Sequence, residues 1–207
     1  MRKLALALIT LALAATSAHA QFLLVPMDAQ QSNHLKAYGL TYWVLERKAT
    51  AEWLLNYRNG SFLLPDRPDV RREAALRGVK YEPANASQVA QIRSQIEENN
   101  MESVILEKAP RIAVYTPANA APWDDAVTLA MAYADIPYDK VWDPEVLQGR
   151  LKEYDWMHLH HEDFTGQYSK FYISYAGANW LQEAVQRNES VAKEFGKQNV
   201  PALKKAV

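Results

Sequence analysis

Three short apolar segments, separated by two segments of helical pattern, restrict the fold of this chain more than any other feature. The apolar segments lie at residues 111–115, 136–142 and 155–160, and the helical pattern covers residues 123–135 and 144–154. This order predicts a βαβαβ unit, in which strands alternate with helices and the connections are short, because crossover helices join parallel strands. We therefore expect an α/β fold with a parallel sheet of the doubly wound type in this half of the chain.

The preceding region, residues 21–108, predicts a mixture of strands and helices. An apolar run at 22–26 predicts a buried strand, and apolar residues at near-helical spacing over 33–48 predict an amphipathic helix. Asn59-Gly60 between two apolar runs predicts a hairpin. Further expected elements are a helix capped by Asp69 and ended by Gly78, a short strand at 79–82, and a helix from Ser87 with Val89, Ile92 and Ile96 on one face.

After the three predicted parallel strands, the chain is expected to contain helices and no further strand. Residues 180–195 have a helical pattern that Gly196 ends, and Pro201 suits the first turn of another helix. Three strands are few for a doubly wound sheet, so the region 109–207 is predicted to be an incomplete α/β domain. The alternative is a complete small domain whose sheet is extended by the N-terminal strands.

Residues 1–20 have the pattern of a secretory signal peptide. Arg2 and Lys3 precede an apolar run at 4–15, and Ala20 ends a small-residue cleavage site. Cleavage after Ala20 predicts a periplasmic or secreted protein. No apolar run in the mature chain is long enough to span a bilayer, so we expect no membrane span there.

Charge and cysteine content exclude several classes of protein. The chain has 23 basic and 24 acidic side chains and no long run of either sign, which argues against a nucleic-acid partner. It contains no cysteine, which excludes both a cysteine nucleophile and disulfide bonds. A chain of 207 residues can bury an adequate core without disulfides, so an exported, soluble protein is expected.

A dense cluster of polar side chains follows the third predicted strand, within the stretch YDWMHLHHEDFTGQY. Ligands of open parallel sheets bind outside the carboxyl ends of the strands. Two aspartates follow the loop after the neighbouring strand, so the two groups are expected to face one crevice. The candidate catalytic or ligand-binding residues are His160, His161, Glu162 and Asp163, together with Asp124 and Asp125.

The same stretch leaves three interpretations open. His158 and His160 share one face of the strand, and with Asp163 they could hold a divalent ion such as zinc or calcium. Without a metal, the cluster is a site for a small polar ligand or a catalytic site. In a purely structural role, the histidines hydrogen-bond between sheet and helix, and the carboxylates cap the next turn. No nucleotide cofactor is expected.

The sequence resembles a family of exported bacterial proteins that often carry the label "asparagine synthetase B". The resemblance lies in NHLKAYGLTYWVLERKATAEWLLNYRNGSFLLP, PWDDAVTLAMAYADIPYDKVWD and YDWMHLHHEDFTGQY, and members of the family are longer than this chain. A glutamine-hydrolysing asparagine synthetase needs an N-terminal cysteine and a Ser-Gly-Gly-x-Asp-Ser type loop for ATP. This chain has neither, so its motifs do not support the activity in the label.

The second half also resembles, more distantly, the start of class I glutamine-amidotransferase-like and trehalose-utilisation-type domains, which implies a flavodoxin-like fold. These folds carry their nucleophile on an elbow after a later strand, and no Gly-x-Ser-x-Gly or cysteine elbow occurs here. We therefore expect a non-catalytic or incomplete amidotransferase-like binding domain. The alternative is a hydrolase-like or amidotransferase-like enzyme, with or without a metal, that acts on a small polar or carbohydrate-type substrate.

Overall fold

The chain forms two compact units that divide between Ala109 and Pro110. The computed structural model describes residues 21–159 and 174–207. The first unit has a five-stranded antiparallel sheet, and the second has a three-stranded parallel sheet. The predicted mixed α/β class is thus confirmed. The N-terminal strands form their own sheet, so the alternative in which they extend the parallel sheet is wrong.

The first unit has the strand order β4-β1-β3-β2-β5, and neighbouring strands are antiparallel. Its elements are β1 (Phe22–Val25), α1 (His34–Glu46), β2 (Ala51–Leu55), β3 (Ser61–Pro65), α2 (Pro68–Arg77), β4 (Glu82–Ala84), α3 (Ala86–Glu98) and β5 (Glu102–Leu106).

Alternation along the strands builds two hydrophobic cores, one on each face of this sheet. On β1, Leu23 and Val25 belong to the core that contains α1 and α2, whereas Leu24 belongs to the core that contains α3. The apolar face predicted for α3 lies in the second core. The first unit is therefore a sheet with helices on both faces, although its strands are antiparallel.

The predicted hairpin between β2 and β3 is present, with a longer connection than a two-residue turn. Residues 56–60 join the strands, and Arg58 lies in the left-handed region with a φ of 46°. Its guanidinium holds the turn, because Nε donates to Asp28 (2.6 Å) and Nη1 donates to Glu82 (2.8 Å). These charge-assisted bonds offset the cost of the unusual backbone.

Other boundaries in the first unit differ from the sequence prediction. Arg67, not Asp69, is the N-cap of α2, because Pro68 takes the first helical position. The short strand lies at Glu82–Ala84 rather than at 79–82, and it pairs with β1.

The second unit has the strand order β7-β6-β8, and both neighbouring pairs are parallel. Its elements are β6 (Ile112–Tyr115), α4 (Ala126–Ala134), β7 (Asp139–Val141), α5 (Asp143–Leu147), β8 (Trp156–Leu159), α6 (Asn179–Glu194) and α7 (Val200–Ala206). The predicted parallel βαβαβ sequence is confirmed in order and direction. In the described parts of the chain, no helix combines the length and the apolar character that crossing a membrane requires.

Two predicted helices of the second unit are shorter than expected. The helix predicted over 123–135 begins at Ala126, because Pro122–Asp124 forms a separate 3-10 turn. The helix predicted over 144–154 ends at Leu147, and Gly149, with a φ of 75°, separates it from a 3-10 turn. A residue in the left-handed region interrupts the helical hydrogen-bond pattern, and glycine adopts that region at little cost.

Candidate functional site

Asp125 and His158 meet beside the central strand of the parallel sheet. His158 lies on β8 in register with Val114 of β6, and Asp125 precedes α4, which follows β6 in the chain. The Nε2 atom of His158 lies 3.2 Å from Oδ1 of Asp125. The side chains are 20% and 11% exposed, so both are largely shielded from water.

The start of α4 fixes the Asp125 carboxylate. Oδ1 accepts hydrogen bonds from the backbone N–H groups of Val127 (2.7 Å) and Thr128 (3.1 Å), as expected of an N-cap aspartate. The same oxygen faces the imidazole ring of His158. The Nε2–H tautomer satisfies this contact and leaves Nδ1 as a hydrogen-bond acceptor. The helix cap therefore also orients the histidine.

Asp124 has a different role from its neighbour. Its Oδ2 accepts a hydrogen bond from the backbone N–H of Ala121 (2.9 Å), which stabilises the 3-10 turn before α4. The side chain is exposed. Among the described residues, Asp125 contacts the candidate histidine His158, and Asp124 does not.

Three further side chains contribute polar or aromatic surface to this part of the second unit. The Trp156 ring lies 6.4 Å from the ring of His158, and 46% of the tryptophan is exposed. Burial raises the pKa of Tyr138, and the nearby charge of Asp125 adds to the effect, so the tyrosine stays protonated. Directly after β6, the buried Oγ1 of Thr116 has no hydrogen-bond partner among the described residues.

The remaining candidates lie outside the described residues. These are His160, His161, Glu162 and Asp163. Of the predicted metal ligands His158, His160 and Asp163, only His158 is described. Within residues 21–159 and 174–207, no group of three or more histidine and acidic side chains is arranged to hold a metal ion.

A second polar cluster in the same unit has no counterpart in the sequence prediction. The carboxylate of Asp143 is fully buried, accepts a hydrogen bond from the Tyr115 hydroxyl, and forms an ion pair with Lys204 (2.9 Å). Asp143 could have been recognised as a polar residue between a strand and Pro144. Lys204 is 61 residues further along the chain, so no local pattern links the two.

The first unit has an open cavity of about 180 Å³ beside the hairpin connection. Polar side chains from the connection, β4 and α3 line much of it, namely Tyr57, Arg58, Glu82, Gln88, Gln91 and Gln95. Two of these already have structural partners, since Arg58 pairs with Glu82 and Gln88 completes the capping box of α3.

No family model, curated protein or solved structure matches this chain. The resemblances to a family of exported bacterial proteins and, in the second half, to amidotransferase-like domains therefore stay predictions from sequence. Function is inferred from the chemistry and position of the site, because a fold alone does not determine an activity.

Two substitutions of Asp125 are expected to separate its two contacts. Asp125→Ala removes both the cap of α4 and the partner of His158, and should lower the free energy of unfolding by about 1–2 kcal/mol. Asp125→Ser keeps a capping oxygen on a side chain too short to reach the imidazole, so it should recover most of that loss. Chemical denaturation measures the stability, and the ring nitrogen signals of His158 report its contact.

Asp124→Ala is the control, since its carboxylate contacts only the 3-10 turn among the hydrogen bonds described above. It should leave the His158 signals unchanged. If Asp125→Ser were as unstable as Asp125→Ala, the histidine contact rather than the cap would supply the stability.

Proposed function

We propose that the second unit is a binding domain for a small polar ligand at the carboxyl edge of the parallel sheet, between β6 and β8. The observation that carries the proposal is the shielded His158–Asp125 pair. In open parallel sheets, a crevice forms where successive connections leave a strand in opposite directions. The chain passes from β6 to β7 on one side of β6, and then to β8 on the other side of β6. The crevice is therefore expected between β6 and β8.

We propose a flavodoxin-like arrangement for this sheet. In chain order, β6, β7 and β8 are its first, second and third strands, so their spatial order is 2-1-3. Flavodoxin-like sheets begin with the same order. His160, His161, Glu162 and Asp163 follow β8 directly in the sequence and stay candidates from the sequence alone.

The proposed ligand offers both hydrogen-bond donors and acceptors. With Nε2–H directed at Asp125, Nδ1 of His158 accepts a hydrogen bond from an N–H or O–H group. The hydroxyl of Thr116 can donate or accept, and the exposed Trp156 ring supplies a flat apolar surface. Carboxamides and sugars have this combination of groups. Because the chain has no cysteine, cysteine-dependent amide hydrolysis is excluded, and binding is the preferred function.

The second candidate function is hydrolysis with His158 as the general base. A carboxylate that fixes the tautomer of a histidine is the arrangement found beside activated nucleophiles. The His158–Asp125 contact is the observation that favours this alternative. In that case a water molecule or a hydroxyl group of the protein, rather than a cysteine, would attack the substrate.

Titration with L-glutamine, L-asparagine and glucose tests the binding proposal. We expect at least one of these probes to shift the His158 ring and Trp156 indole signals in a saturable way, because these groups line the proposed crevice. In His158→Gln, which lacks the imidazole signal, the shifts of the Trp156 indole signal should disappear. They should persist in the matched control His34→Gln, whose histidine lies in the first unit with Nε2 at 3.0 Å from the carbonyl oxygen of Met27.

Shifts that survive in His158→Gln, or no shift with any of the three probes, would contradict a ligand site at His158. Release of ammonia from glutamine or asparagine, lost in His158→Gln, would instead support the hydrolytic alternative.

A further inference from the structure

The Tyr115–Asp143 cluster faces away from His158. Tyr115 follows Val114, the register partner of His158, so alternation directs the two side chains to opposite faces of the sheet. Trp142 and Asp143 follow β7, and α7 contributes Lys204. The cluster is therefore separate from the proposed ligand site, and neither depends on the other.

The ammonium group of Lys204 is enclosed by a carboxylate and two aromatic rings. Its Nζ lies 2.9 Å from Oδ2 and 3.1 Å from Oδ1 of Asp143. The same atom lies 4.3 Å from the ring centre of Trp142 and 5.9 Å from that of Tyr115. A carboxylate combined with aromatic faces is the chemistry that recognises an organic cation.

The enclosure is built without Lys204. The Trp142 and Tyr115 rings stack with their centres 4.6 Å apart, and the Tyr115 hydroxyl donates to Oδ1 of Asp143. Asp143 is fully buried and Tyr115 is 6% exposed. These three residues lie on β6 or directly after β7, so the sheet holds them in place.

The helix that brings Lys204 to this site is short and contacts α5 and α6. It is seven residues long, and Leu203 is its buried residue. Helices of this length are not stable alone in water. The Lys204 side chain is also 37% exposed, so water and small solutes reach it.

We propose that Tyr115, Trp142 and Asp143 form a binding site for a primary alkylammonium group, which Lys204 occupies in this structure. An external primary alkylamine takes the same position when the Lys204 side chain is shortened or when α7 leaves. The short distances from nitrogen to the carboxylate oxygens require N–H donors, so a quaternary ammonium ion does not fit. The site thus links the attachment of α7 to the presence of small amines.

Chemical rescue of Lys204→Ala tests this proposal. The substitution leaves the buried carboxylate without its cation, and should lower the melting temperature by about 5 °C. Butylammonium at tens of millimolar should restore at least half of the loss, because it supplies a primary ammonium group on an alkyl chain that replaces the three carbons removed beyond Cβ. Tetramethylammonium should not. The rescue should also be absent from the double variant Asp143→Asn/Lys204→Ala.

Lys205→Ala is the matched control, since Lys205 is exposed on the same helix. It should keep the wild-type melting temperature and gain nothing specific from butylammonium. Equal stabilisation of all variants by butylammonium, or equal rescue by tetramethylammonium, would overturn the proposal.

Hydrogen exchange of the wild-type protein keeps the proposal testable if Lys204→Ala does not fold. Butylammonium should compete with Lys204 and increase the exchange rate of the α7 amides, whereas tetramethylammonium should leave it unchanged. Exchange that responds to neither ion, or to both equally, would contradict a site for primary amines.

Discussion

Replacing Arg93 with alanine is expected to lower the free energy of unfolding of the first unit by about 3 kcal/mol at neutral pH. Glu52 is 6% exposed, and its carboxylate accepts hydrogen bonds from Arg93 Nη2 (2.6 Å) and Ser103 Oγ (2.5 Å). Arg93 is half exposed, so the ion pair itself contributes modestly. The large loss comes from the buried carboxylate that the substitution leaves with a single hydroxyl donor.

The effect of Arg93→Ala is expected to depend on pH with a definite sign. Burial alone raises the pKa of Glu52, but the hydrogen bonds from Arg93 and Ser103 and the charge of Arg93 outweigh it, so the pKa lies below the usual 4.5. In the wild-type protein, the contribution of Glu52 is present at neutral pH and is lost as the pH falls below about 4.5. Without Arg93, burial dominates and the pKa rises above that of the unfolded chain. The variant is then least destabilised in acid and loses stability as the pH rises.

Urea unfolding of both proteins near pH 7 and near pH 4 measures this difference. The gap between wild type and Arg93→Ala should be widest at the higher pH and should narrow in acid. Adding Glu52→Gln to the variant should recover part of the loss, because it removes the buried charge. A gap of equal size at both pH values would show that Glu52 does not stay buried and charged in the variant.

Arg67→Ala is the control for a surface ion pair. Arg67 donates hydrogen bonds to both carboxylate oxygens of Asp69; the Arg67 side chain is exposed and that of Asp69 is partly exposed. Its removal should cost less than about 1 kcal/mol. The pKa of Asp69 is lowered chiefly by the hydrogen bond from Arg67, so this loss should also shrink in acid. Unlike the pKa of Glu52 in Arg93→Ala, the pKa of Asp69 in Arg67→Ala is not expected to rise above that of the unfolded chain.

Elements with a local signal were predictable from the sequence, and elements that depend on distant partners were not. The strands of the βαβαβ unit are apolar runs between turn residues, and the buried face of α3 has helical spacing, so both are visible in a short window. β5 was not predicted, because its apolar run, Val104 to Leu106, is only three residues long and the strand is held by pairing with β2. Its pairing with a strand about fifty residues earlier cannot be inferred from local propensity.

The same distinction applies to the polar sites. Asp125 and His158 were candidates because each lies near the end of an apolar strand or at the start of the helix that follows it, where polar residues gather in parallel sheets. Glu52 was hidden in an apolar strand, and its partners Arg93 and Ser103 lie 41 and 51 residues away. Buried charges of this kind follow from tertiary packing, which gives no periodic pattern in the sequence.

Replacing Leu203 with alanine is expected to release α7 while the parallel sheet stays folded. Leu203 is fully buried, and a leucine-to-alanine change at such a position costs about 2–5 kcal/mol. Besides its contacts with α5 and α6, α7 is attached by the Lys204–Asp143 pair, whose cation is partly exposed and therefore contributes less than a buried pair. The free energy lost with the Leu203 side chain exceeds what this pair contributes. Local detachment of the short helix therefore costs less free energy than unfolding of the whole unit.

Hydrogen exchange measures this release residue by residue. The α7 amides of Leu203→Ala should exchange about a hundredfold faster than in the wild type, while the β6 amides change little. Lys205→Ala should leave both sets unchanged. If the β6 amides accelerated as much as those of α7, the helix would be an integral part of the core, and an external amine could reach Asp143 only by unfolding the unit. If only the α7 amides exchange faster, Tyr115, Trp142 and Asp143 stay in place when α7 and Lys204 detach. A site for a free alkylamine requires this.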